Sequence, residues 1–307
     1  MEDVMVSVIC LAYNHEKYIS ETLDGFINQN VNFTFEVLVG EDCSDDATRA
    51  IILNYQEKYP SIIKLLTDEH NVGMNRNFKR LLEKSKGKYI AMCEGDDYWI
   101  DSSKLQTQYD LLESNADTVG CFHDFTLKEG DIFRSSGKEY CEKINIKEMS
   151  KSVTPIQTLT VMFRNVKEDI FPDKYIDEVT GTYFIFMSLS RFGDWEYIDK
   201  VMAVYRIHPG GIWSGKNNFR KAEMSIVNIS AMCDFFAQDD DIIQNMKEQH
   251  RLRTAYFLMF FIFRLKFREF FFFLEQYRRY RRETPAFIGL GKYPKELLNS
   301  VLKRFFS

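Results

Sequence analysis

No two cysteines in this chain stand at CxxC spacing or at any other zinc-binding spacing; the six present (Cys10, Cys43, Cys93, Cys121, Cys141 and Cys233) are scattered, three of them in or beside apolar runs. Zinc modules are thereby excluded, and the thiols are expected to be free and buried in a reducing compartment. Long hydrophobic runs are missing as well. In the aromatic C-terminal part the uncharged stretch Thr254 to Phe263 is ten residues long, against about 20 needed to span a bilayer. The N-terminus lacks a cleavable signal pattern, because Met1-Glu2-Asp3 is acidic and the apolar run from Val4 to Ala12 ends at Tyr13-Asn14. A cytoplasmic location is the expectation that follows.

What is present suits one large domain with an appendage: 307 residues, 45% hydrophobic and 28% charged. The net charge of −5 is unevenly spread. From Lys247 onward fourteen Lys or Arg face five Glu, a net +9, which leaves −14 on residues 1–246. An acidic body with a basic tail implies that the tail meets something anionic, whether nucleic acid, a membrane surface or an acidic partner.

The first hundred residues alternate between two periodicities. Met5 to Ala12 reads as a buried strand, and His15 to Gln29 carries apolar residues at helical spacing. Phe33 to Val39 is a second strand, followed by a helix that opens at Ser44-Asp45-Asp46 and stops at Pro60. Ile62 to Leu66, a helix from Asn75 to Lys84, a stop at Gly87 and a strand from Lys88 to Cys93 complete the series. Repeated strand-helix order predicts an α/β fold with a mainly parallel sheet and right-handed crossovers.

In such a sheet the carboxyl ends of the strands share one edge, where open α/β folds bind ligands. Glu94-Gly95-Asp96-Asp97 follows the fourth strand, Asp42 follows the second, and Ala12-Tyr13-Asn14 ends the first. Hard oxygen ligands gathered there suit Mg²⁺ or Mn²⁺ carrying a phosphate-bearing substrate. The bland alternatives are a solvated acidic turn and, for Asp42, a helix cap.

These segments, taken in order, carry a resemblance. Val6-Ser7-Val8-Ile9 with Tyr13-Asn14, Glu41 to Thr48, Asn71-Val72-Gly73, Gly87-Lys88-Tyr89-Ile90 and Glu94-Gly95-Asp96-Asp97-Tyr98-Trp99 resemble the pattern of family 2 glycosyltransferases with the GT-A fold. The likeness resumes at Gly193 and at Tyr197 to Ser214, which is similar to the closing segment of bacterial polysaccharide-building members, and it covers about the first 215 residues. It implies a GT-A (Rossmann-like) domain over 1–220, with an acceptor-side region over about 123–215, and a helical, aromatic and basic extension over 221–307.

The resemblance also implies roles. The residue matching Asp42 contacts the nucleobase, the carboxylates matching Glu94 and Asp96 form a DXD-type metal site, and the metal bridges the diphosphate of a nucleotide diphosphate sugar. Here Glu94 takes the first place, a longer arm that still reaches a metal, and Asp97 is available to a ligand or to a donor-sugar hydroxyl. His208, before Pro209-Gly210-Gly211, is read as a metal or phosphate ligand in a closing lid or as a structural histidine. Arg206 is read as a phosphate clamp or a surface ion pair. Arg76 and Lys79 either reach the nucleotide or line a solvated helix face.

Inverting transfer needs a carboxylate to take the acceptor proton. Related sequences place an Asp about a dozen residues before the glycine matching Gly193; this chain has Gly181-Thr182-Tyr183 there, which leaves Asp177 and Glu178 as candidate bases or a protein that binds without transferring. His123-Asp124, after the strand Thr118 to Phe122, stands where such enzymes contact donor sugar or acceptor, or else packs.

The tail, with Tyr256, Phe257 and a series of aromatics to Tyr280 among Arg264, Lys266, Arg268, Arg278-Arg279 and Arg281-Arg282, suits a helix at a membrane surface across 254–282. A helical hairpin packed on the catalytic domain or on a second subunit is the alternative. Three function classes stay open: a metal-dependent transferase acting on a saccharide or polyprenyl-linked acceptor, a nucleotidyltransferase, and a non-catalytic partner subunit. Leu11 to His15 lacks the glycine-rich loop the second would carry. Without a recognisable motif, nucleic acid is the less favoured partner of the basic tail.

Overall fold

A computed structural model describes residues 3–151, 156–166, 168–179, 181–211, 218–263 and 272. In chain order the first half holds β1 (Val6–Ala12), α1 (Ile19–Ile27), β2 (Phe35–Glu41), α2 (Thr48–Lys58), β3 (Ile63–Thr67), α3 (Met74–Lys84), β4 (Tyr89–Met92), β5 (Tyr98–Trp99), α4 (Lys104–Ser114) and β6 (Thr118–Glu129). It continues with β7 (Ile132–Ser135), β8 (Lys143–Ile144), α5 (Ile146–Lys151), β9 (Met162–Arg164), α6 (Asp173–Ile176), α7 (Thr182–Leu189), β10 (Asp194–Ile207), α8 (Asn218–Phe235) and α9 (Asp240–Phe263).

One mixed sheet runs in the order β3-β2-β1-β4-β9-β6-β10-β5, with β7 on β6 and β8 on β10. The pairs β3–β2, β2–β1, β1–β4 and β6–β10 are parallel, while β9 enters antiparallel between β4 and β6. Helices cover the sheet, so β1 and β2 are buried almost throughout and read as continuous apolar runs instead of alternating ones. Two carboxylates inside β2 are tolerated because each is fully engaged. Glu36 accepts from Ser7 Oγ, Lys64 Nζ and the Lys86 N–H, and Glu41 accepts from the Ser44 N–H and Arg49 Nε.

Several elements differ from the sequence expectation. α1 begins at Ile19 and not at His15; the loop before it is tied down where the N–H groups of His15 and Glu16 donate to Thr48 Oγ1 and Asp46 Oδ2. α2 opens after Ala47, although Asp46 still accepts the Thr48 N–H. β6 runs on past Phe122 to Glu129 because β7 and β10 supply partners on both sides. All six cysteines are free; Cys10, Cys93 and Cys121 are buried as expected, but Cys141 is exposed.

The chain divides into two compact units, 1–216 and 217–307. The second holds α8 and α9 as a pair, with Arg253 Nη1 donating to Ser225 Oγ. Among the described residues no helix is long and apolar enough to cross a membrane. Most of the aromatic and basic segment 254–282 lies outside the described residues.

Candidate active site

The β1 and β2 registers bring Ala12 opposite Glu41, and the Asp42 N–H continues the ladder to the Ala12 carbonyl. From β4 the chain keeps pairing with β1: Cys93 N–H donates to Ile9 and Gly95 N–H to Leu11. The three expected strand ends therefore meet at one edge. Asn14, in the left-handed region at φ 56°, turns there, a conformation that short polar side chains tolerate. Its amide Oδ1 accepts the Asp45 N–H and its own N–H goes to Ser44 Oγ, which ties the two loops together. Tyr13 is 43% exposed beside them.

Asp42 is buried, and its two carboxylate oxygens accept the N–H groups of Val72 and Gly73 at 2.8 and 2.9 Å. Gly73 has φ 85°, so a side chain there would be strained. A carboxylate has about four lone-pair sites. Asp42 thus holds the Asn71–Gly73 turn with acceptor capacity left over.

Asp96 lies between two histidines. His208 Nε2 stands 3.0 Å from Asp96 Oδ2, and His15 Nε2 stands 3.7 Å from the same oxygen. Burial works to raise the Asp96 carboxyl, but the His208 hydrogen bond and the charges of His15 and His208 outweigh it and hold it below the usual range. Glu94 behaves oppositely: burial, then the charge of Asp96, push it up to about 7 against a bond from Thr158. Asp97, buried, is raised well above the ordinary range by burial and then by Asp96 and Glu94. Burial lowers His15, against the raising charge of Asp96. Gly95 must be glycine for room alone, since a Cβ would meet His15 Nδ1 at 2.8 Å and Ile19 Cδ1 at 2.9 Å.

Arg206 is neither exposed nor an isolated surface pair. Its guanidinium, 7% exposed, donates to the Asp96 carbonyl at 2.5 Å, pairs with Glu21 and lies over the Tyr98 ring at 4.2 Å. Those bonds make it a strut under the acidic turn. Arg76 is committed to Asp177 through Nε and Nη2, and Lys79 to Asp173. Asp177 is 72% exposed and Glu178 is exposed beside it. Asn75, which drew no attention in the sequence, holds this segment: Nδ2 donates to the Ile176 and Val179 carbonyls, and Oδ1 accepts the Gly181 N–H. Thr182 opens α7 immediately after it. His123 is fully buried with Nδ1 on the Asp124 carbonyl, so it packs in the core and is not at the surface of the site.

The residues present fit a divalent ion. Three carboxylates crowd one turn, where Asp96 raises Glu94 and both raise Asp97, a field that a cation would relieve, and an imidazole already touches the lowest of them. Among the described residues no group of three or more His, Cys, Asp or Glu ligands is assembled. The arrangement is open, as suits Mg²⁺ or Mn²⁺ that share their coordination with phosphate oxygens. His15 is the site residue that sequence reading passed over; its only signal was its place three positions past the end of β1.

The chain is similar to several known proteins. An uncharacterized protein of Mycobacterium tuberculosis is 33% identical over 212 residues, 68% of this chain and 60% of that one, so the match spans about 60% of that relative's length. The Escherichia coli enzyme UDP-Glc:alpha-D-GlcNAc-diphosphoundecaprenol beta-1,3-glucosyltransferase WfgD is 35% identical over 115 residues, 38% of this chain and 44% of that one. Among solved structures, the mannosyltransferase PcManGT of Pyrobaculum calidifontis, in complex with GDP-Man and Mn²⁺, superimposes with a TM-score of 0.60 at 13% identity, covering 98% of this chain and 83% of that one, a likeness of fold. The model of glycosyl transferase family 2 matches residues 7–171, more than half of the sequence, and the chain belongs to that family, with the GT-A fold.

Proposed function

We propose that this chain transfers a sugar, with inversion, from a nucleotide diphosphate sugar to a saccharide or polyprenyl-linked acceptor in surface polysaccharide synthesis. The observation that carries the reading is Asp96, flanked by His208 and His15 at the strand edge that also holds Asp42. WfgD, named for a UDP-glucose donor and a diphosphoundecaprenol-linked acceptor, supports the donor class and the lipid-linked acceptor. The Mn²⁺ bound in PcManGT supports a divalent ion.

Asp42, with Tyr13 and Asn14, forms the nucleoside end of the site. Asp96 and His208 hold the ion, with Glu94 beside them. Bound there, Mn²⁺ or Mg²⁺ neutralises charge on the departing nucleotide diphosphate. Arg206 fixes the Asp96 carbonyl and so the turn that carries the carboxylate. Asp97 ties the same turn to β10 and leaves donor contact to its neighbours. Asp177 or Glu178 takes the acceptor proton from the segment that Asn75 holds in place. Peripheral contact with the inner face of the cell membrane through 254–282 would bring a lipid-linked acceptor to the site.

A non-catalytic binding subunit is the second reading, favoured by Thr182 at the helix start and by the commitment of Asp177 to Arg76. Isothermal titration of uridine and guanosine diphosphates with and without Mn²⁺ tests the first step. Metal-dependent binding in wild type and its loss in Asp96→Ala is the expected result; binding indifferent to both metal and substitution would reject the site. Transfer assays with nucleotide sugars and a lipid-diphosphate sugar acceptor then separate enzyme from binder.

A further inference from the structure

One side-chain amide, that of Asn75, closes the end of one helix and the start of the next. The last carbonyls of a helix and the first N–H groups of its successor have no partner within their own helices. Asn75 Nδ2 donates to the Ile176 carbonyl, which ends α6, and to the Val179 carbonyl, each at 2.6 Å, while Oδ1 accepts the Gly181 N–H at 3.2 Å, where α7 begins. A primary amide carries two donors and an acceptor in one plane, and both donors and the oxygen are engaged here. Gly181 packs against the group, since a Cβ there would meet Asn75 Oδ1 at 2.8 Å. Between these anchored points stand Asp177 and Glu178, both exposed.

The same residue belongs to the mount of Asp42. The Asp42 carboxylate accepts the Val72 and Gly73 N–H groups, and its carbonyl accepts from Asn71 Nδ2 at 2.9 Å. The Gly73 carbonyl accepts the Asn77 N–H at the opening of α3, and Asn77 Nδ2 is buried on the Gly40 carbonyl of β2. Met74 alone separates this turn from Asn75, leaving no loop between them. Arg76 and Lys79, further along α3, pair with Asp177 and Asp173, whose side chains are 72% and 83% exposed. Such exposed pairs hold weakly, so the attachment falls to Asn75.

We propose that Asn75 is a positioning residue through which a nucleotide seated at Asp42 sets the Asp177–Val179 stretch, so that donor binding and the reach of the proton acceptor are linked by the start of α3. The inference rests on the reading that Asp42 receives the nucleoside and that Asp177 or Glu178 takes the acceptor proton. A nucleobase bonded to the remaining acceptor sites of Asp42 fixes the carboxylate that holds Val72 and Gly73, and the helix opening from that turn carries the amide. The required movement is small, because a misplacement of about 1 Å can cost about 10²-fold in rate.

Hydrogen exchange of the full chain, with and without uridine or guanosine diphosphate and Mn²⁺, reads the link directly. The Glu178 and Val179 N–H groups donate to the Tyr175 carbonyl, so their exchange follows opening of this stretch. In wild type that exchange should slow about threefold or more when nucleotide binds; in Asn75→Ala the nucleotide should bind within about twofold of wild type while the slowing is lost. Gly181→Ala, which crowds the amide from the other side, should weaken the slowing as well. With a nucleotide sugar and a lipid-diphosphate sugar acceptor, Asn75→Ala should lower kcat about tenfold to 100-fold and leave donor KM within about twofold, a split that mere loss of fold stability would not produce. Exchange at Glu178 and Val179 that ignores bound nucleotide in wild type overturns the proposal, as does an Asn75→Ala protein that binds nucleotide and keeps the slowing. If wild type binds neither nucleotide, the reading of Asp42 fails and the proposal falls with it.

Discussion

The carboxylate of Asp97 accepts the main-chain N–H of Arg206 at 2.8 Å, joining stretches of chain 109 positions apart. The bond fastens the acidic turn after β4 to β10, and Arg206 returns the support through the Asp96 carbonyl. The two neighbouring aspartates therefore divide their work. Asp96 faces the histidines, and Asp97 faces the framework.

Burial, Asp96 and Glu94 raise the Asp97 carboxyl far enough that a neutral acceptor should serve in its place. Asp97→Asn is expected to cost under about 1 kcal/mol and to keep nucleotide binding, because an amide oxygen can accept the same N–H. Asp97→Ala leaves the Arg206 N–H buried without a partner and should cost about 1–3 kcal/mol. Urea denaturation of both variants measures the difference. Equal losses would mean that the bond contributes little.

The β-α alternation was legible because β1, β2 and β4 are covered on both faces, which forces mainly apolar runs, interrupted only by the hydrogen-bonded pair Ser7 and Glu36 before the polar strand ends. The edge followed from the parallel order, and with it Asp42, Asn14 and the acidic turn. What sequence could not give was contact across distant segments. The pairing of Arg206 with Glu21 and its bond to the Asp96 carbonyl depend on β10 lying beside β5. His15 and Asn75 look like ordinary loop and helix residues until their partners, far along the chain, are placed beside them.

The exposed pair of Arg76 with Asp177 bears on the proton acceptor. Both side chains are more than half exposed, so their ion pair is worth about 0–1 kcal/mol, and breaking it should leave the fold intact. Asp177→Asn and Glu178→Gln can thus be read for chemistry alone. The base is the residue whose loss lowers kcat by about 10²-fold or more with little change in donor KM. If both variants keep full transfer, neither is the base.

Lys104 offers a stability test away from the site. Its side chain is fully buried, with the ammonium 4.1 Å from the centre of the Trp99 ring and bonded to Gln108 Oε1. Burial lowers it to about 7, against the raising influence of Cys121 and Cys93, and His123 beside it is likewise held neutral by burial. An unfolded lysine keeps its proton to about 10.4. Between about pH 7 and 10 the unfolded chain therefore binds the extra proton, and the Lys104 contribution to stability rises with pH; below about 7 both states are protonated and the full penalty of burying the charge remains. Other groups titrate in this window, so the informative quantity is the difference between wild type and Lys104→Met. The variant should be the more stable near pH 7, by up to about 5 kcal/mol if the whole shift is expressed, and the gap should close as the pH approaches 10. Guanidinium denaturation of both proteins at pH 6, 7, 8, 9 and 10 measures it. A gap that stays constant across that range would mean that Lys104 stays charged in the fold, held by Trp99 and Gln108 strongly enough to overcome its burial.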